Sequence, residues 1–294
     1  MNVGVLGAGT MGRGIAQVCA TAGHRVTVRD LDPELVDRGI ESIASTLEEG
    51  VDRGKVDPGD REAALERISG TTELAEAVVG ADLVVEAVPE EMELKRETVT
   101  AVEDAANPGT VIASNTSSLP LTEIASTLER PERAIGLHFF NPVHLMDLVE
   151  VVAAEQTAAE TVEFAEEFVE GIEKEPVVIR DTPGFATSRL GVAIGVEAIR
   201  MVERGVASPA AIDRAMELGY NHPMGPLELG DVVGLDVRLD ILEGLREELG
   251  ERFRPPQLLR RKVRAGKLGR KSGEGFYVWE DGERVAMSGD WDER

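Results

Sequence analysis

Short apolar runs alternate with longer amphipathic segments along the first part of the chain. The segments between the runs, such as "EMELKRETVTAVEDAA", carry apolar residues at helical spacing. Such an alternation predicts a parallel, doubly wound sheet, because strands covered by helices on both faces read as continuous apolar runs. We therefore expect strands at "NVGVL", "HRVTVRD", "ADLVVEAVP", "GTVIASNTS" and "AIGLHFF".

The pattern becomes entirely helical after "EPVVIRD". The segment "GFATSRLGVAIGVEAIRMVERG" is apolar over most of its circumference, which is typical of a helix buried on several sides. Ser208 and Pro209 then form a favourable N-cap and first-turn pair for the next helix. A chain of 294 residues is long enough for two domains. We predict an α/β domain over residues 1–181 and an all-α domain over residues 182–294.

Residues 33–69 form a long, charged and mostly helical stretch with a turn near "VDPGD". This stretch is longer than a simple crossover between two strands requires. A protruding helical pair there would cover a bulky substrate, whereas a solvated helical hairpin explains the same pattern equally well. The sequence leaves both interpretations open.

The first strand leads into a glycine-rich turn, Gly7-Ala8-Gly9-Thr10-Met11-Gly12, and then into a helix. Gly7 permits a tight turn, Gly9 lets the backbone approach a pyrophosphate, and Gly12 allows close packing of helix on strand. The free N–H groups of the helix N-terminus favour the same anion. An unrelated glycine-rich turn is the alternative, but the strand before and the helix after favour a Rossmann-type dinucleotide site.

Asp30 ends the second predicted strand, where an acid accepts hydrogen bonds from the adenosine ribose. Its charge would also repel a 2′-phosphate, so the sequence predicts NAD rather than NADP. The neighbouring Arg29 is the one feature that could accommodate NADP.

Polar side chains cluster at or just beyond the carboxyl ends of the later strands, where ligands bind in such sheets. They are Glu90, Lys95, Ser114, Asn115, Ser117, His138 and Asn141. This convergence predicts a site at that edge of the sheet.

His138 and Glu150 lie twelve positions apart in the apolar run "GLHFFNPVHLMDLVEV". A carboxylate beside a buried histidine favours the imidazolium and fixes one tautomer, as a base that takes a proton from an alcohol requires. A histidine that only stabilises the core is the alternative. We give that reading to His24, His144 and His222, and we predict that His138 is a catalytic base.

The charge balance is strongly acidic, with 55 Asp and Glu against 31 Lys and Arg and a net charge of −24. Nucleic acid is therefore disfavoured as a partner, because an acidic surface repels phosphate. Few of the cations are lysines, and acid excess of this kind suits concentrated salt, which screens self-repulsion. We favour this salt-adapted (halophilic) reading over an ordinary acidic cytosolic enzyme.

The single Cys19 excludes an intramolecular disulfide, and no Cys and His residues have the spacing of a metal site. No stretch reads as a signal peptide or a membrane span. We expect a cytoplasmic protein that binds neither a metal nor a membrane.

Five spaced motifs carry a family resemblance: "GAGTMGRGIAQ", "ASNTSSLP", "GLHFFNPVHLMDLVEVV", "RDTPGFATSRL" and "HPMGPLELGDVVGLD". Together they resemble the short-chain L-3-hydroxyacyl-CoA dehydrogenases, which include 3-hydroxybutyryl-CoA dehydrogenases. The likeness runs from residue 1 to about residue 279. It implies reversible NAD-dependent oxidation of (S)-3-hydroxyacyl-CoA, as in fatty-acid β-oxidation, and a homodimer formed through the helical domain.

The resemblance also implies residue roles. His138 would be the general base, Glu150 its orienting partner, and Ser117 a hydrogen-bonding group for the substrate's 3-oxygen. Asn141 would hold His138 or the substrate. The implied cofactor contacts beyond the glycine-rich turn are Asp30, Glu90, Lys95 and Asn115.

One position departs from the family pattern. Ser188 replaces the usual asparagine in "DTPGFATSRL", where the amide is expected to touch the acyl thioester. A dehydrogenase of a small free hydroxy acid or sugar acid therefore remains an alternative, as does a nucleotide-binding sensor without catalysis.

Cations that could meet the phosphates of coenzyme A occur in two places. Arg53 and Lys55 lie in the helical stretch, and seven cations lie within residues 260–271. For the second group, a solvated surface or a link to an acidic partner subunit is the favoured interpretation.

Overall fold

The computed structural model describes residues 1–289. Its internal contacts divide the chain into one unit from Met1 to Thr182 and a second that begins at Pro183. The sequence pattern predicts this boundary between residues 181 and 182.

The first unit is an α/β unit built around one mixed sheet. Its strands are β1 (Asn2–Leu6), β2 (Arg25–Arg29), β3 (Ile68–Thr71), β4 (Leu83–Glu86), β5 (Val111–Ser114), β6 (Ala134–Phe139), β7 (Leu148–Ala153) and β8 (Glu175–Arg180). Its helices are α1 (Thr10–Thr21), α2 (Pro33–Asp52), α3 (Pro58–Glu66), α4 (Leu74–Val78), α5 (Met92–Ala105), α6 (Leu121–Ala125) and α7 (Ala159–Gly171), with a 3₁₀ turn at Pro131–Arg133.

The strands lie in the order β3-β2-β1-β4-β5-β6-β7-β8. From β3 to β6 all neighbours are parallel, as predicted, but β7 runs antiparallel to β6 and β8 follows β7. The reversal follows from chain length, because residues 140–147 are too few for the crossover that a parallel connection needs. The expectation of a parallel sheet therefore holds for β1 to β6 and not for the last two strands.

Helix α1 packs its apolar face, with Ile15, Ala16 and the buried Cys19, into the core of this unit. Helix α2 begins after Asp32, whose side chain accepts a hydrogen bond from the backbone N–H of Glu34. Its residues Ile43 and Leu47 are buried in the same core. One apolar face of the charged stretch 33–69 is thus buried in the core, which argues against a fully solvated hairpin.

The second unit is mainly helical, as predicted. It contains α8 (Thr187–Glu203), α9 (Pro209–Tyr220), α10 (Pro226–Val233), α11 (Leu235–Leu249) and α12 (Gln257–Arg264), with 3₁₀ turns at Glu251–Phe253 and Arg270–Ser272. An antiparallel hairpin, β9 (Tyr277–Glu280) and β10 (Glu283–Met287), completes it. This hairpin was not predicted, so the unit is not entirely helical.

Two buried carboxylates organise the second unit. Asp213 accepts hydrogen bonds from the backbone N–H groups of Leu227 and Glu228 at the start of α10. Asp231, within α10, accepts from the backbone N–H groups of Phe276 and Tyr277. These contacts join α9, α10 and the hairpin into one core. Among residues 1–289, no helix has the length and apolar character needed to span a lipid bilayer.

Candidate functional site

A cavity of about 350 Å³ opens at the carboxyl ends of β4, β5 and β6 in the first unit. Parallel strands bring their carboxyl ends to one edge of a sheet, which is where ligands bind in this architecture. Six predicted site residues line the cavity together with Phe140: Met11, Glu90, Asn115, Ser117, His138 and Asn141. The structure therefore brings together side chains that the sequence placed only by strand position.

His138 and Glu150 face each other across the antiparallel pair β6 and β7. His138 Nδ1 lies 2.7 Å from Glu150 Oε2, and both residues are buried, with no exposed surface on Glu150. The ring of Phe140 packs against the imidazole at 4.4 Å between centroids. Because the carboxylate contacts Nδ1, it favours the tautomer in which Nε2 is the basic nitrogen. This is the arrangement of an oriented general base.

Ser117 lies in a turn that Glu90 holds by hydrogen bonds. Glu90 Oε1 accepts from the backbone N–H groups of Ser117 and Ser118 at 2.8 and 3.0 Å. It also accepts from the hydroxyls of Thr116, Ser117 and Ser118 at 2.8, 3.2 and 3.0 Å. Burial would raise the pKa of Glu90, but the charge of Lys95 and these hydrogen bonds outweigh it and lower the pKa. Glu90 is therefore an ionised acceptor in the cavity wall.

Lys95 lies beneath the cavity rather than in its wall, with its side chain only 1% exposed. Its ammonium donates to both carboxylate oxygens of Glu86, at 3.0 and 2.9 Å, and to the carbonyl of Val88 at 3.3 Å. It also lies 3.3 Å from Glu90 Oε2. These contacts tie Lys95 to Glu86, Val88 and Glu90, and its predicted contact with the cofactor stays a prediction.

Glu86 was missed as a site residue. It ends β4 and is buried, and burial raises the pKa of its carboxyl while Lys95 opposes that shift. The signal in the sequence was an acid inside the apolar run "DLVVEAV". An acid there requires a partner, because a buried charge is costly unless it is paired.

The glycine-rich turn between β1 and α1 fits a dinucleotide. Gly7 has φ 104°, and a Cβ on Gly12 would lie only 1.8 Å from the carbonyl oxygen of Gly7. A Cβ on Gly9 would meet nothing within 4 Å, so the space beside Gly9 is open. No side chain caps the first turn of α1, at Thr10 and Met11. Its N–H groups therefore suit a pyrophosphate.

Asp30 lies beside this turn, at the end of β2. Its carboxylate accepts hydrogen bonds from the backbone N–H groups of Ala8 and Leu31, at 2.8 and 2.7 Å. The guanidinium of Arg29 instead donates through Nε to the carbonyl of Thr72 at 3.1 Å. An acid next to the turn and an arginine engaged elsewhere fit NAD better than NADP.

Two predicted site residues have backbone roles that the sequence did not reveal. Asn115 Oδ1 accepts a hydrogen bond from the backbone N–H of Phe139 at 3.0 Å, which ties the end of β5 to the end of β6. Asn141 precedes Pro142 through a cis peptide bond.

Among the candidate substrate residues of the first unit, Ser117 lines this cavity and Arg53 and Lys55 do not. Arg53 and Lys55 line a second cavity of about 650 Å³, also in the first unit, together with His144 and Lys174. Ser188 belongs to the second unit, where it lies in the first turn of α8.

Three of the seven cations in the basic segment 260–271 form ion pairs within the second unit, joining Arg260 to Glu243, Lys267 to Glu274 and Lys271 to Asp236. These pairs reduce the positive charge available to a phosphate, and the solvated surface or link to a partner subunit stays a prediction. Within the described part of the chain, no group of three or more His, Cys, Asp and Glu residues could hold a metal ion.

Comparison with known proteins covers both units. The family model for the NAD binding domain of 3-hydroxyacyl-CoA dehydrogenase matches residues 2–182, and the model for the C-terminal domain of that family matches residues 184–279. A probable 3-hydroxybutyryl-CoA dehydrogenase from Deinococcus radiodurans is 46% identical over 280 residues, which is 95% of this chain and 100% of that protein. Its counterpart from Bacillus subtilis is 45% identical over 278 residues, which is 94% of this chain and 96% of that protein.

The same relationship is found among solved structures. The crystal structure of (S)-3-hydroxybutyryl-CoA dehydrogenase from Ralstonia eutropha matches with a TM-score of 0.92 and 40% identity, covering 95% of this chain and 99% of that chain. The resemblance first read from five sequence motifs is thereby confirmed over both units. The chain belongs to the 3-hydroxyacyl-CoA dehydrogenase family.

Proposed function

We propose that this protein oxidises short-chain (S)-3-hydroxyacyl-CoA reversibly to 3-oxoacyl-CoA with NAD, using His138 as the base. The observation that carries the proposal is the 2.7 Å contact between His138 and Glu150 beside a cavity that Ser117 also lines. Relatives named 3-hydroxybutyryl-CoA dehydrogenase favour a short acyl group. A cytoplasmic location and a role in fatty-acid metabolism are further parts of the proposal.

The residues in and beside the cavity would have separate roles in the reaction. His138 takes the proton of the 3-hydroxyl group, and the carboxylate of Glu150 stabilises the resulting imidazolium. Ser117 hydrogen-bonds the 3-oxygen, which fixes carbon 3 relative to the base. Bound NAD supplies the acceptor for the hydride that leaves carbon 3. Loss of one proton and one hydride converts the alcohol to the ketone.

The coenzyme A portion would follow a path away from this cavity. Asn141 lines both the catalytic cavity and a smaller one of about 130 Å³, and His144 lines both the smaller cavity and the 650 Å³ cavity. The last of these is lined by the cations Arg53, Lys55 and Lys174 and by the acids Glu49, Asp147 and Glu173, and Arg53 lies 3.3 Å from Glu49. In this proposal the phosphates of coenzyme A would contact these cations and compete with the acids for them.

The second unit supports a homodimer as part of the proposal. Its helix α8 exposes 64% of Leu190 and 41% of Ile194, although the opposite face of the helix is buried. Large exposed apolar side chains on one helix are typical of a surface that another protein covers. The acidic surface supports function in concentrated salt.

The test is NADH oxidation by the purified protein in molar potassium chloride, with acetoacetyl-CoA, a small free keto acid, and NADPH in place of NADH. Turnover of acetoacetyl-CoA with NADH is the expected result and would show that Ser188 is tolerated. Turnover of the free acid alone would assign the protein to hydroxy-acid or sugar-acid oxidation. NADH binding without turnover of either substrate would favour a sensor.

A further inference from the structure

We propose that Glu86 is a positioning residue for catalysis, acting through Lys95 and Glu90 to hold the Ser117 hydroxyl in place. The inference rests on the proposed function, because it assumes that Ser117 contacts the substrate. It assigns a role to a buried acid that does not itself line the cavity.

The first step is the contact between Glu86 and Lys95. Each side chain is 1% exposed, and both carboxylate oxygens lie within 3.0 Å of the ammonium nitrogen. Ser114 and the backbone N–H of Val88 also donate to the carboxylate. Lys95 and the backbone N–H of Val88 can only donate, so Glu86 is their acceptor, and the ammonium beside it favours the carboxylate over the neutral acid.

Stability alone does not account for such a pair. Replacing a buried ion pair by apolar side chains of similar volume is often neutral or stabilising, because desolvation offsets the attraction. Here the pair lies directly beneath a carboxylate of the cavity wall. Its position therefore points to a role in orienting that carboxylate.

The second step joins Lys95 to Glu90. The ammonium lies 3.3 Å from Glu90 Oε2, so one oxygen of Glu90 faces the buried cation. The other oxygen, Oε1, then faces the turn at residues 116–118 and accepts the bonds that hold it.

The third step joins Glu90 to Ser117. Glu90 Oε1 accepts from both the backbone N–H and the hydroxyl of Ser117, at 2.8 and 3.2 Å. One acceptor thus fixes the backbone and the side chain of the same residue. Without the anchor at Glu86, the ammonium of Lys95 would move toward Glu90 and draw its carboxylate away from the turn. Misplacement of a catalytic group by about 1 Å can lower the rate by about 100-fold.

The experiment is a double-mutant cycle with Glu86→Gln, Ser117→Ala and the double variant, measured as acetoacetyl-CoA reduction by NADH. We expect Glu86→Gln to lower kcat by roughly tenfold or more while the Kd for NADH changes by less than about twofold. In the Ser117→Ala background, Glu86→Gln should lower kcat by less than about twofold, because the hydroxyl that Glu86 would position is already absent. Glu93→Gln removes an exposed acid from the start of α5 and should leave every parameter unchanged.

Two results would overturn the inference: multiplicative effects of the two substitutions on kcat, or a fall in NADH affinity that accounts for the whole loss. If Glu86→Gln does not fold, the double variant Glu86→Gln/Lys95→Met removes the pair without leaving a buried charge, and the same cycle applies to it. Wild-type turnover of acetoacetyl-CoA tests the proposed function separately. Absence of this turnover would reject the proposed function. Normal turnover by the wild type, with multiplicative effects of the two substitutions on kcat, would reject only the role of Glu86.

Discussion

The hydroxyl of Tyr277 donates a 2.6 Å hydrogen bond to the carboxylate of Asp213, and both residues are buried in the core of the second unit. The same carboxylate accepts from two backbone N–H groups at the start of α10. Burial raises the pKa of Asp213, and the bond from Tyr277 opposes that shift without cancelling it. The strength of this contact therefore depends on whether Asp213 is ionised.

Tyr277→Phe should destabilise the protein more at neutral than at acidic pH. The pKa of Asp213 is higher in the folded than in the unfolded protein, so Asp213 stabilises the fold most below its unfolded pKa. This stabilisation is lost as pH rises through the pKa of Asp213 in the folded protein. Removing the Tyr277 hydroxyl raises that pKa further, so the destabilisation caused by the substitution grows with pH. We expect about 1.5–3 kcal/mol at pH 7.5 and less at pH 5, from urea unfolding. The exposed Tyr220→Phe is the control, and a cost independent of pH would contradict the prediction.

His138→Ala should lower kcat by roughly 100-fold or more while the affinity for NADH stays nearly unchanged. Glu150→Gln should lower kcat by roughly the same factor, because the amide no longer stabilises the imidazolium. Glu175→Gln changes an exposed acid on β8 and is the matched control. Steady-state kinetics and NADH fluorescence titration separate the two effects, and loss of NADH binding along with turnover would count against the assigned base.

Gly9→Ala should weaken NADH binding by roughly tenfold or more without lowering the melting temperature. The reason is that a Cβ at Gly9 meets no protein atom within 4 Å, so it occupies only the space where a pyrophosphate would approach. Gly109→Ala adds a methyl group at another open position and should change neither property. If Gly9→Ala bound NADH normally, the pyrophosphate could not lie against this turn.

Asp30→Asn should raise kcat/KM for NADPH relative to NADH by about tenfold. The substitution removes the charge that repels a 2′-phosphate and keeps one oxygen for the backbone N–H of Ala8. Arg29 is held by Thr72, so the gain should stop short of a full exchange of preference. Kinetics with both cofactors measure the ratio, and an unchanged ratio would mean that Asp30 does not lie near the ribose.

Potassium chloride should stabilise the fold. A net charge of −24 makes like-charge repulsion large at low salt, and the screening length falls from about 10 Å at 0.1 M to about 3 Å at 1 M. We expect the melting temperature to rise by roughly 5 °C or more between 0.1 and 2 M. Sucrose at the same osmolality does not screen charge and is the control. A melting temperature insensitive to salt would contradict the salt-adapted reading.

The sequence predicted those features of the fold and site whose residues are identified by a short motif or by their position at the end of a strand. The glycine-rich turn and Asp30 follow from the requirements of a dinucleotide, and both lie beside the start of α1 as expected. The convergence of Ser117 and His138 follows from the geometry of parallel strands. The contact of His138 with Glu150 was also expected, since only one turn separates their strands.

The features that the sequence did not predict depend on contacts between segments that are distant in the sequence. The apolar run "DLVVEAV" reads as a strand whether or not Glu86 has a partner, and Lys95 reaches it only because α5 returns over β4. The hairpin β9 and β10 is short, and its attachment relies on Asp231, far away in the sequence. Such long-range pairings leave no periodic pattern in the residues that make them.

The antiparallel return of β7 beside β6 places His138 and Glu150 within one continuous hairpin of the first unit. Both members of the proposed pair therefore lie within residues 138–150. Their separation is set by the register of one short hairpin and not by the packing of segments that are distant in sequence.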